Sequence, residues 1–150
     1  MEDDQIRSLF QPESVLTASA LFQAIDRMGV GLAITNPNLP DNPLVYVNQG
    51  FEKITGYKRE EVLHRNLRFL QGKETNKEHL AVIRKAIKEI GAATVTIKNY
   101  KKDGSTFWNQ FVISPILDAE GHLLYFIGLQ FDVTREVEKQ QASTEQLRQL

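Results

Sequence analysis

The chain has 150 residues, a formal net charge of −1 and no cysteine. This length suits one domain with its own core, and the near-neutral charge gives no electrostatic reason to expect nucleic acid or a membrane surface as a partner. The lack of cysteine excludes disulfides, thiolate metal sites and cysteine nucleophiles. No stretch has the length and apolarity of a membrane span and no leader pattern opens the chain, so a cytoplasmic protein is expected.

Enzyme and metal signatures are also missing from the sequence. His64, His79 and His122 are scattered, without an acidic or histidine partner at ligand spacing, so no metal site is predicted. There is no glycine-rich phosphate loop, serine-centred elbow or pair of carboxylates. The expectation is therefore a binding or sensory protein and not an enzyme.

The N-terminal part of the chain predicts a flanking helix. Residues 1–13 are polar and contain Pro12, which predicts a loose start. Between Ser14 and Met28, apolar residues recur at helical spacing, and Gly29 ends the pattern. We assign residues 1–28 to an N-terminal flanking helix.

Two short strands and a short helix follow. Residues 30–35 and 44–47 are short apolar runs separated by asparagine–proline turns, which predicts two strands. Asn48 is placed to cap a short helix that Gly56 ends.

A longer helix and three long strands come next. The helix is predicted to begin at Thr75 or Asn76 and to end at Gly91, with an apolar stripe of Leu80, Ile83, Ile87 and Ile90. Strand patterns cover residues 93–102, 106–117 and 123–133, separated by two hairpin loops. The order of elements predicts an α+β domain with one five-stranded antiparallel sheet, helices over one face and a cavity between the two layers.

An amide side chain interrupts the apolar face of each long strand. Because side chains alternate along a strand, Asn99, Asn109 and Gln130 each share a face with apolar residues. A three-residue loop at 103–105 would place Asn99 opposite Asn109, and a four-residue loop at 118–121 would place Asn109 opposite Gln130. The apolar residues on these faces are Val95, Ile97, Phe107, Phe111, Ile113, Leu124, Phe126 and Gly128.

Two interpretations of these amides remain open on the pattern alone. A buried amide without partners costs about 1–3 kcal/mol, so three amides on one face need hydrogen-bond partners. They either bond to one another and to the backbone as a polar network in the core, or they bind the edge of a flat heterocycle that alternates acceptors and donors. Gly128 would let such a ring approach the backbone closely.

The motif Asn66-Leu67-Arg68-Phe69-Leu70-Gln71-Gly72 resembles that of the light-oxygen-voltage (LOV) domains, which belong to the PAS superfamily. The similarity extends from about residue 30 to residue 134 and includes, in family order, Gly56-Tyr57, the segment 99–104, Phe107-Trp108-Asn109, the segment 126–130 and Asp132-Val133-Thr134. The resemblance implies a PAS fold over residues 29–134 and a flavin chromophore.

Carried over position by position, the resemblance implies a flavin-binding site. Asn99 and Asn109 would hold the pyrimidine edge of the ring, Gln130 would lie near its O4 and N5, and Asn66 and Gln71 would bond the ring or the ribityl chain. Arg68 and Arg84 would bind a phosphate, which favours FMN, with FAD or riboflavin as alternatives. The pocket would be lined by Thr35, Leu67, Leu80, Ile83, Phe111, Ile113, Phe126 and Gly128.

Leu67 departs from the family pattern, because it stands where the family has its photoreactive cysteine. Leucine offers no nucleophile, and no other cysteine exists in the chain, so the covalent adduct of the family is excluded. The expected responses to blue light are fluorescence and photoreduction to a neutral semiquinone. Protonation at N5 would turn an acceptor into a donor, and Gln130 is expected to rotate and pass that change to the flanking helices. His64, which replaces a usual glycine, is a second departure.

The segment 135–150 is polar with a thin apolar stripe and predicts a C-terminal linker helix that stops within its pattern. Together the flanking helices resemble those through which PAS sensors form homodimers and reach an effector, which is not identified by the sequence. Three functions fit: a blue-light or redox sensor without the adduct, an engineered flavin-based fluorescent protein, or a chromophore-free PAS dimerisation scaffold. The retained amides argue against the scaffold, because unpartnered buried amides are costly.

Overall fold

A five-stranded antiparallel sheet organises the fold. The computed structural model describes residues 2–9 and 16–150, and within them the strands are β1 Gly31–Thr35, β2 Leu44–Val47, β3 Ala93–Tyr100, β4 Thr106–Leu117 and β5 Leu123–Asp132. Their order across the sheet is β2-β1-β5-β4-β3. The described helices are α1 Glu2–Leu9, α2 Ala18–Arg27, α3 Gln49–Thr55, α4 Arg59–Val62, α5 Lys77–Glu89 and α6 Thr134–Gln149, with a 3₁₀ turn at Leu67–Leu70. The α+β architecture predicted from the sequence is confirmed.

The register of the two long hairpins differs from the prediction by two residues. Asn99 lies opposite Phe107, and Gln130 lies opposite Phe111, so neither of them lies opposite Asn109. The first loop is longer than expected, since β3 and β4 pair only up to Tyr100 and Thr106. The second hairpin contains an irregularity near residue 116 that shifts the pairing. Because both shifts are even, all three amides stay on the same face of the sheet.

The N-terminal segment also differs from the prediction. Residues 2–9 form α1, although a loose start was expected there. Its sequence places Asp3 and Asp4 in the first turn and Arg7 in the last turn, which suits the helix dipole. Residues 10–13, and Ser14 at the predicted start of the next helix, lie outside the described residues. Helix α2 begins at Ala18, with the Thr17 hydroxyl as its cap.

Helix α5 begins as predicted and ends one residue earlier than predicted. The Asn76 side chain accepts hydrogen bonds from the backbone amides of Glu78 and His79 at 2.7 and 3.3 Å. Ile90 adopts the left-handed conformation (φ 52°) that ends the helix. It is therefore 47% exposed and does not join the apolar stripe.

The core lies between the sheet and the helices α3 and α5. Helix α3 packs on β1, and α5 packs on β3 and β4. One buried cluster centres on Val47 and Phe51, and a second centres on Ile97 and Phe126. In the part of the chain that the structure describes, no helix combines the length and apolarity needed to cross a bilayer.

Candidate functional site

A cavity of about 210 Å³ lies between the 3₁₀ turn, helix α5 and the strands β3 and β4. On the same measure, one water needs roughly 10–15 Å³, so the cavity has room for a substantial ligand. Its wall combines apolar side chains with amides and two guanidinium groups. The lining residues are Thr35, Asn42, Asn66, Leu67, Arg68, Leu70, Gln71, Leu80, Ile83, Arg84, Ile87, Ile97, Asn99, Asn109, Phe111 and Ile113.

Two of the sheet amides form one polar edge of this cavity. Asn99 is 5% exposed and Asn109 is 1% exposed. The Asn109 side-chain nitrogen donates to the Asn99 side-chain oxygen at 3.0 Å, although the two residues are diagonal neighbours and not opposite ones. The Asn109 Oδ1 atom is buried and has no hydrogen-bond partner among the described residues. The pair therefore satisfies itself only in part.

The third amide is fully buried and unpaired. Gln130 is 0% exposed, and neither its Oε1 nor its Nε2 has a hydrogen-bond partner among the residues described. It lies between two glycines, since a Cβ built on Gly31 would be 3.3 Å from Oε1 and one built on Gly128 would be 3.3 Å from Nε2. A buried unpaired amide of this kind costs about 1–3 kcal/mol.

Gly128 lies against the ring of Phe111. A Cβ at this position would lie 2.7 and 2.9 Å from two carbons of the Phe111 ring. Phe111 itself lines the cavity. The close approach therefore fixes the position of Phe111 in the cavity wall.

The 3₁₀ turn carries Leu67 to the middle of the site. Asn66 caps the turn, because its Oδ1 accepts from the Arg68 backbone amide at 2.9 Å. Leu67 is half-buried and packs against both core clusters. The side chain at position 67 thus bridges the two halves of the core and faces the cavity.

Two guanidinium groups also line the cavity. Arg68 donates from both terminal nitrogens to the Asp41 carboxylate at 2.6 and 2.7 Å. This hydrogen bonding by Arg68 holds the pKa of Asp41 below its usual value of 3.8. The guanidinium of Arg84 makes no hydrogen bond or ion pair with any described residue. Arg68 therefore has two of its donors engaged by a carboxylate, whereas the donors of Arg84 are not engaged by any described residue.

The structure brings most of the predicted site residues together. All of them line the cavity except Phe126, Gly128 and Gln130, which are buried and lie in or against the cavity's sheet wall. The sequence did not single out four lining residues, namely Asn42, Leu70, Ile87 and Ile97. Ile87 and Ile97 lie on apolar faces that the sequence did identify, whereas Asn42 comes from a turn whose path no periodicity predicts.

We expected none of the histidines to have an acidic partner at ligand spacing, and for His122 this expectation is wrong. The His122 Nδ1 atom lies 3.2 Å from Asp118 Oδ2 and 3.5 Å from Glu120 Oε2 in the loop between β4 and β5. Asp118 also accepts from the backbone amides of Glu120 and His122, each at 2.9 Å. These contacts hold the hairpin loop closed.

The polar groups of the site fit a flavin ring. Such a heterocycle carries acceptors and donors on one edge, and a carboxamide can match either kind because it offers both. Asn109 Oδ1 and both polar atoms of Gln130 are buried and lack protein partners among the described residues. The apolar residues Leu80, Ile83 and Ile113 suit the faces of a flat ring.

Comparisons with known proteins agree on the family. The PAS domain family matches residues 29–135. The chain is 51% identical over 116 residues to a blue-light photoreceptor of Listeria monocytogenes and 47% identical over 108 residues to a blue-light-activated histidine kinase of Brucella ovis. These matches cover 77% and 72% of this chain but only 46% and 22% of the relatives, so the chain spans less than half of their length.

A solved structure adds the subfamily. A LOV domain studied with a flavin analogue superposes with a TM-score of 0.74 at 40% identity, covering 86% of this chain and 96% of that chain. At this identity and coverage the likeness extends beyond the fold. The chain therefore belongs to the PAS domain family and, within it, to the light-oxygen-voltage domains.

Proposed function

We propose that this chain is a flavin-binding sensory domain that takes FMN and responds to blue light or redox state without forming a covalent adduct. The observation that carries the proposal is the set of buried, unpaired amide atoms of Asn109 and Gln130 beside an apolar cavity. A protein core retains such atoms at a cost of about 1–3 kcal/mol each unless a ligand satisfies them. A flavin would supply the missing donors and acceptors.

The proposed roles of the polar side chains follow from their positions. Asn99 and Asn109 would bind the pyrimidine edge of the ring, Gln130 would bond its O4 and N5 side, and Asn66 and Gln71 would bond the ring or the ribityl chain. Arg68 and Arg84 would bind the phosphate. When bound, FMN would supply absorption of blue light and a ring that accepts electrons.

Leu67 determines what this domain does with light in our proposal. It occupies the position of the family's photoreactive cysteine, and its side chain has no atom that bonds covalently to the ring. We expect a fluorescent flavin that, under illumination with an added electron donor, would take up one electron and one proton. Leu67 also packs against both core clusters, so it shields the cavity from water.

The proposed signal leaves the site through β5. Gln130 lies two residues before Asp132, whose carboxylate accepts from the Thr134 backbone amide at 3.0 Å at the start of α6. A rotated Gln130 amide would present its oxygen where it presented nitrogen. Because β5 continues into α6 with only Val133 between them, this rotation would act on the first turn of α6.

The first experiment is an absorption and fluorescence spectrum of the purified protein before, during and after blue illumination. We expect a structured flavin band that fluoresces and converts to a reduced flavin in light with an electron donor. A protein that remains fluorescent and unreduced would be a reporter, and a protein without any flavin would contradict the proposal.

A second experiment tests the position of Leu67. The Leu67→Cys variant should show reversible light-induced loss of the flavin band, because a thiol would now face the reactive ring carbon. Leu70→Cys is the matched control, since Leu70 lines the same cavity three residues later. Bleaching in neither variant, or equally in both, would mean that residue 67 does not face the ring carbon.

Partners of the domain are also proposals. The kinase relative suggests an effector outside this chain, and we propose a homodimer through the flanking helices. Leu21 on α2 is 44% exposed and Leu147 on α6 is 69% exposed. Sedimentation of the chain and of its Leu21→Glu and Leu147→Glu variants should show a dimer that these charges dissociate, whereas a monomeric wild-type chain would rule the homodimer out.

A further inference from the structure

The guanidinium of Arg68 is already paired with a carboxylate of the same chain. Its two terminal nitrogens donate to the two carboxylate oxygens of Asp41 at 2.6 and 2.7 Å. This bidentate arrangement is the geometry in which a guanidinium also binds a phosphate. A ligand phosphate at the mouth of the cavity would therefore compete with Asp41 for the same pair of donors.

Local structure holds Asp41 and Arg68 together. Asp41 adopts the left-handed conformation (φ 67°) and Asn42 after it does the same (φ 48°). Asn66 donates from its side-chain nitrogen to the Asp41 carbonyl at 2.7 Å and accepts from the Arg68 backbone amide at 2.9 Å. One amide side chain thus ties the turn that carries the carboxylate to the turn that carries the guanidinium.

The two arginines that line the cavity differ in how their positive charges are compensated. Hydrogen bonding with Arg68 lowers the pKa of Asp41 below 3.8, so its carboxylate is ionised at neutral pH. The positive charge of Arg68 is compensated by that carboxylate, whereas Arg84 pairs with no described residue. A phosphomonoester, which carries nearly two negative charges at neutral pH, would meet Arg84, a compensated Arg68 and the nearby Asp41 carboxylate. An uncharged ribityl hydroxyl would not feel this opposition.

We propose that Asp41 is a specificity-determining residue that weakens the preference of this domain for phosphorylated over unphosphorylated flavin by occupying the donors of Arg68. The inference rests on the proposed function, because it concerns which flavin the same site prefers. It differs from a purely structural role, in which Asp41 would orient Arg68 toward the phosphate and strengthen that preference.

The expected size of the effect is modest. Both side chains of the pair are exposed, at 59% and 60%, and exposed ion pairs contribute little because water screens them. Releasing the Arg68 donors from this pair makes them available to the phosphate with a gain of similar size. Removing the Asp41 charge should therefore raise the affinity ratio of FMN to riboflavin by about three- to tenfold.

The test is a competition on the folded protein. Wild-type protein and an Asp41→Asn variant are equilibrated with an equimolar mixture of FMN and riboflavin, and the bound flavin is released and quantified by chromatography. Asparagine suits the left-handed conformation of residue 41, so the variant removes the charge without straining the turn. Glu138→Gln, on the exposed face of α6, is a control with the same change in net charge away from the cavity lining.

The outcomes separate this inference from the proposed function. An FMN-to-riboflavin ratio that rises in Asp41→Asn and not in Glu138→Gln supports the inference. A ratio that is unchanged or falls overturns it, while leaving flavin binding established. Absence of both flavins from wild-type protein would overturn the proposed function itself.

A double variant tests whether the effect passes through Arg68. In an Arg68→Ala background, Asp41→Asn should change the ratio much less than it does alone, because the donors for which Asp41 competes are gone. An undiminished rise in that background would show direct repulsion by Asp41 and would overturn the competition for Arg68.

Discussion

Gln130 is a fully buried amide whose side chain has two unpaired polar atoms among the described residues. Because these atoms have no partners, replacing Gln130 with an apolar residue of similar size removes the free-energy cost of burying an unpaired amide. We expect Gln130→Leu to leave the stability of the flavin-free protein unchanged or raised. We expect it to weaken flavin binding by about 1–3 kcal/mol, or roughly 5- to 150-fold in Kd.

This prediction has a matched control on a neighbouring strand. Gln110 lies on β4 and is exposed, so Gln110→Leu makes the same substitution away from the cavity lining. Titrating flavin into both variants and following ring fluorescence compares them directly. Equal affinity in Gln130→Leu and wild-type protein would show that the amide does not contact the ligand.

Gly128 makes a separate prediction at the residue scale. A methyl group there would meet the Phe111 ring at 2.7 and 2.9 Å, and the ring would have to move into the cavity. Gly128→Ala should therefore cost about 1–3 kcal/mol in the free energy of unfolding and weaken flavin binding. Gly91→Ala, where a methyl group meets nothing within 4 Å, should change stability by less than about 0.5 kcal/mol in the same urea titration.

Position 130 also shows what the sequence could and could not predict about the site. Alternation along the strands placed Asn99, Asn109 and Gln130 on one buried face, which the structure confirms. It could not fix which amides touch, because that depends on hairpin register. The first loop is stabilised by Asp103, whose carboxylate accepts from the Ser105 amide and hydroxyl at 2.9 and 2.6 Å. Such side-chain contacts close a loop at a length that strand patterns do not contain.

At the scale of elements, the cap of α3 is buried whereas the cap of α5 is exposed, and the two should contribute differently to stability. The Asn48 side chain caps α3 by accepting from Phe51 at 2.9 Å, accepts from Leu32 at 2.8 Å and donates to Val30 at 2.9 Å. It is 2% exposed, and it joins α3 to the backbone around β1. We expect Asn48→Ala to destabilise the protein by about 2–4 kcal/mol, because it removes a cap and leaves buried backbone groups unpaired.

The exposed cap of α5 is the control for that prediction. Asn76 accepts from two backbone amides of its own helix and is open to solvent, so water can replace it in Asn76→Ala. Its loss should cost about 1 kcal/mol. If thermal unfolding showed equal losses for both variants, the link from α3 to β1 would contribute nothing beyond the cap.

Short elements mark the limit of prediction at this scale. Alternation along the three long strands, and short apolar runs between turn residues for β1 and β2, identified the strands within about two residues of their observed ends. Periodicity did not identify α4 or the 3₁₀ turn, each of four residues, because one turn of helix contains too few positions to show a period. The turn of residues 67–70 carries Leu67 and Arg68, so the part of the site that departs most from regular structure was found by resemblance to a family and not by pattern.

At the scale of the whole molecule, we expect four surface carboxylates with lowered pKa values to contribute to the response to acid. Hydrogen bonds lower the pKa values of these four carboxylates. The donor is Arg68 for Asp41, Lys102 for Glu61, Ser105 for Asp103 and the His122 backbone amide for Asp118. A group whose folded pKa lies below its unfolded value contributes stability above the unfolded pKa, and this contribution is lost as the pH falls through the folded pKa. These four groups should thus leave stability unchanged from neutral pH down to about pH 5 and reduce it below about pH 4.

The size and the onset of the fall in stability show whether these four carboxylates or other groups cause it. Asp41 and Asp103 are exposed and Glu61 and Asp118 are partly exposed, so each carboxylate contributes little. The fall in urea midpoint between pH 5 and pH 3.5 should therefore be gradual. Asp118→Asn keeps an oxygen that can accept from the loop amides but removes the ionisable group, and it should make the fall shallower. A fall that begins well above pH 5 would require a group other than these four, because their unfolded pKa values lie near 4.

Of these four carboxylates, within the described chain only Asp41 contacts a guanidinium that lines the cavity. If protonation of Asp41 causes part of the loss of stability, saturating FMN should change how the urea midpoint depends on pH below pH 5. If the other three carboxylates cause it, the pH dependence of the midpoint should be the same with and without FMN.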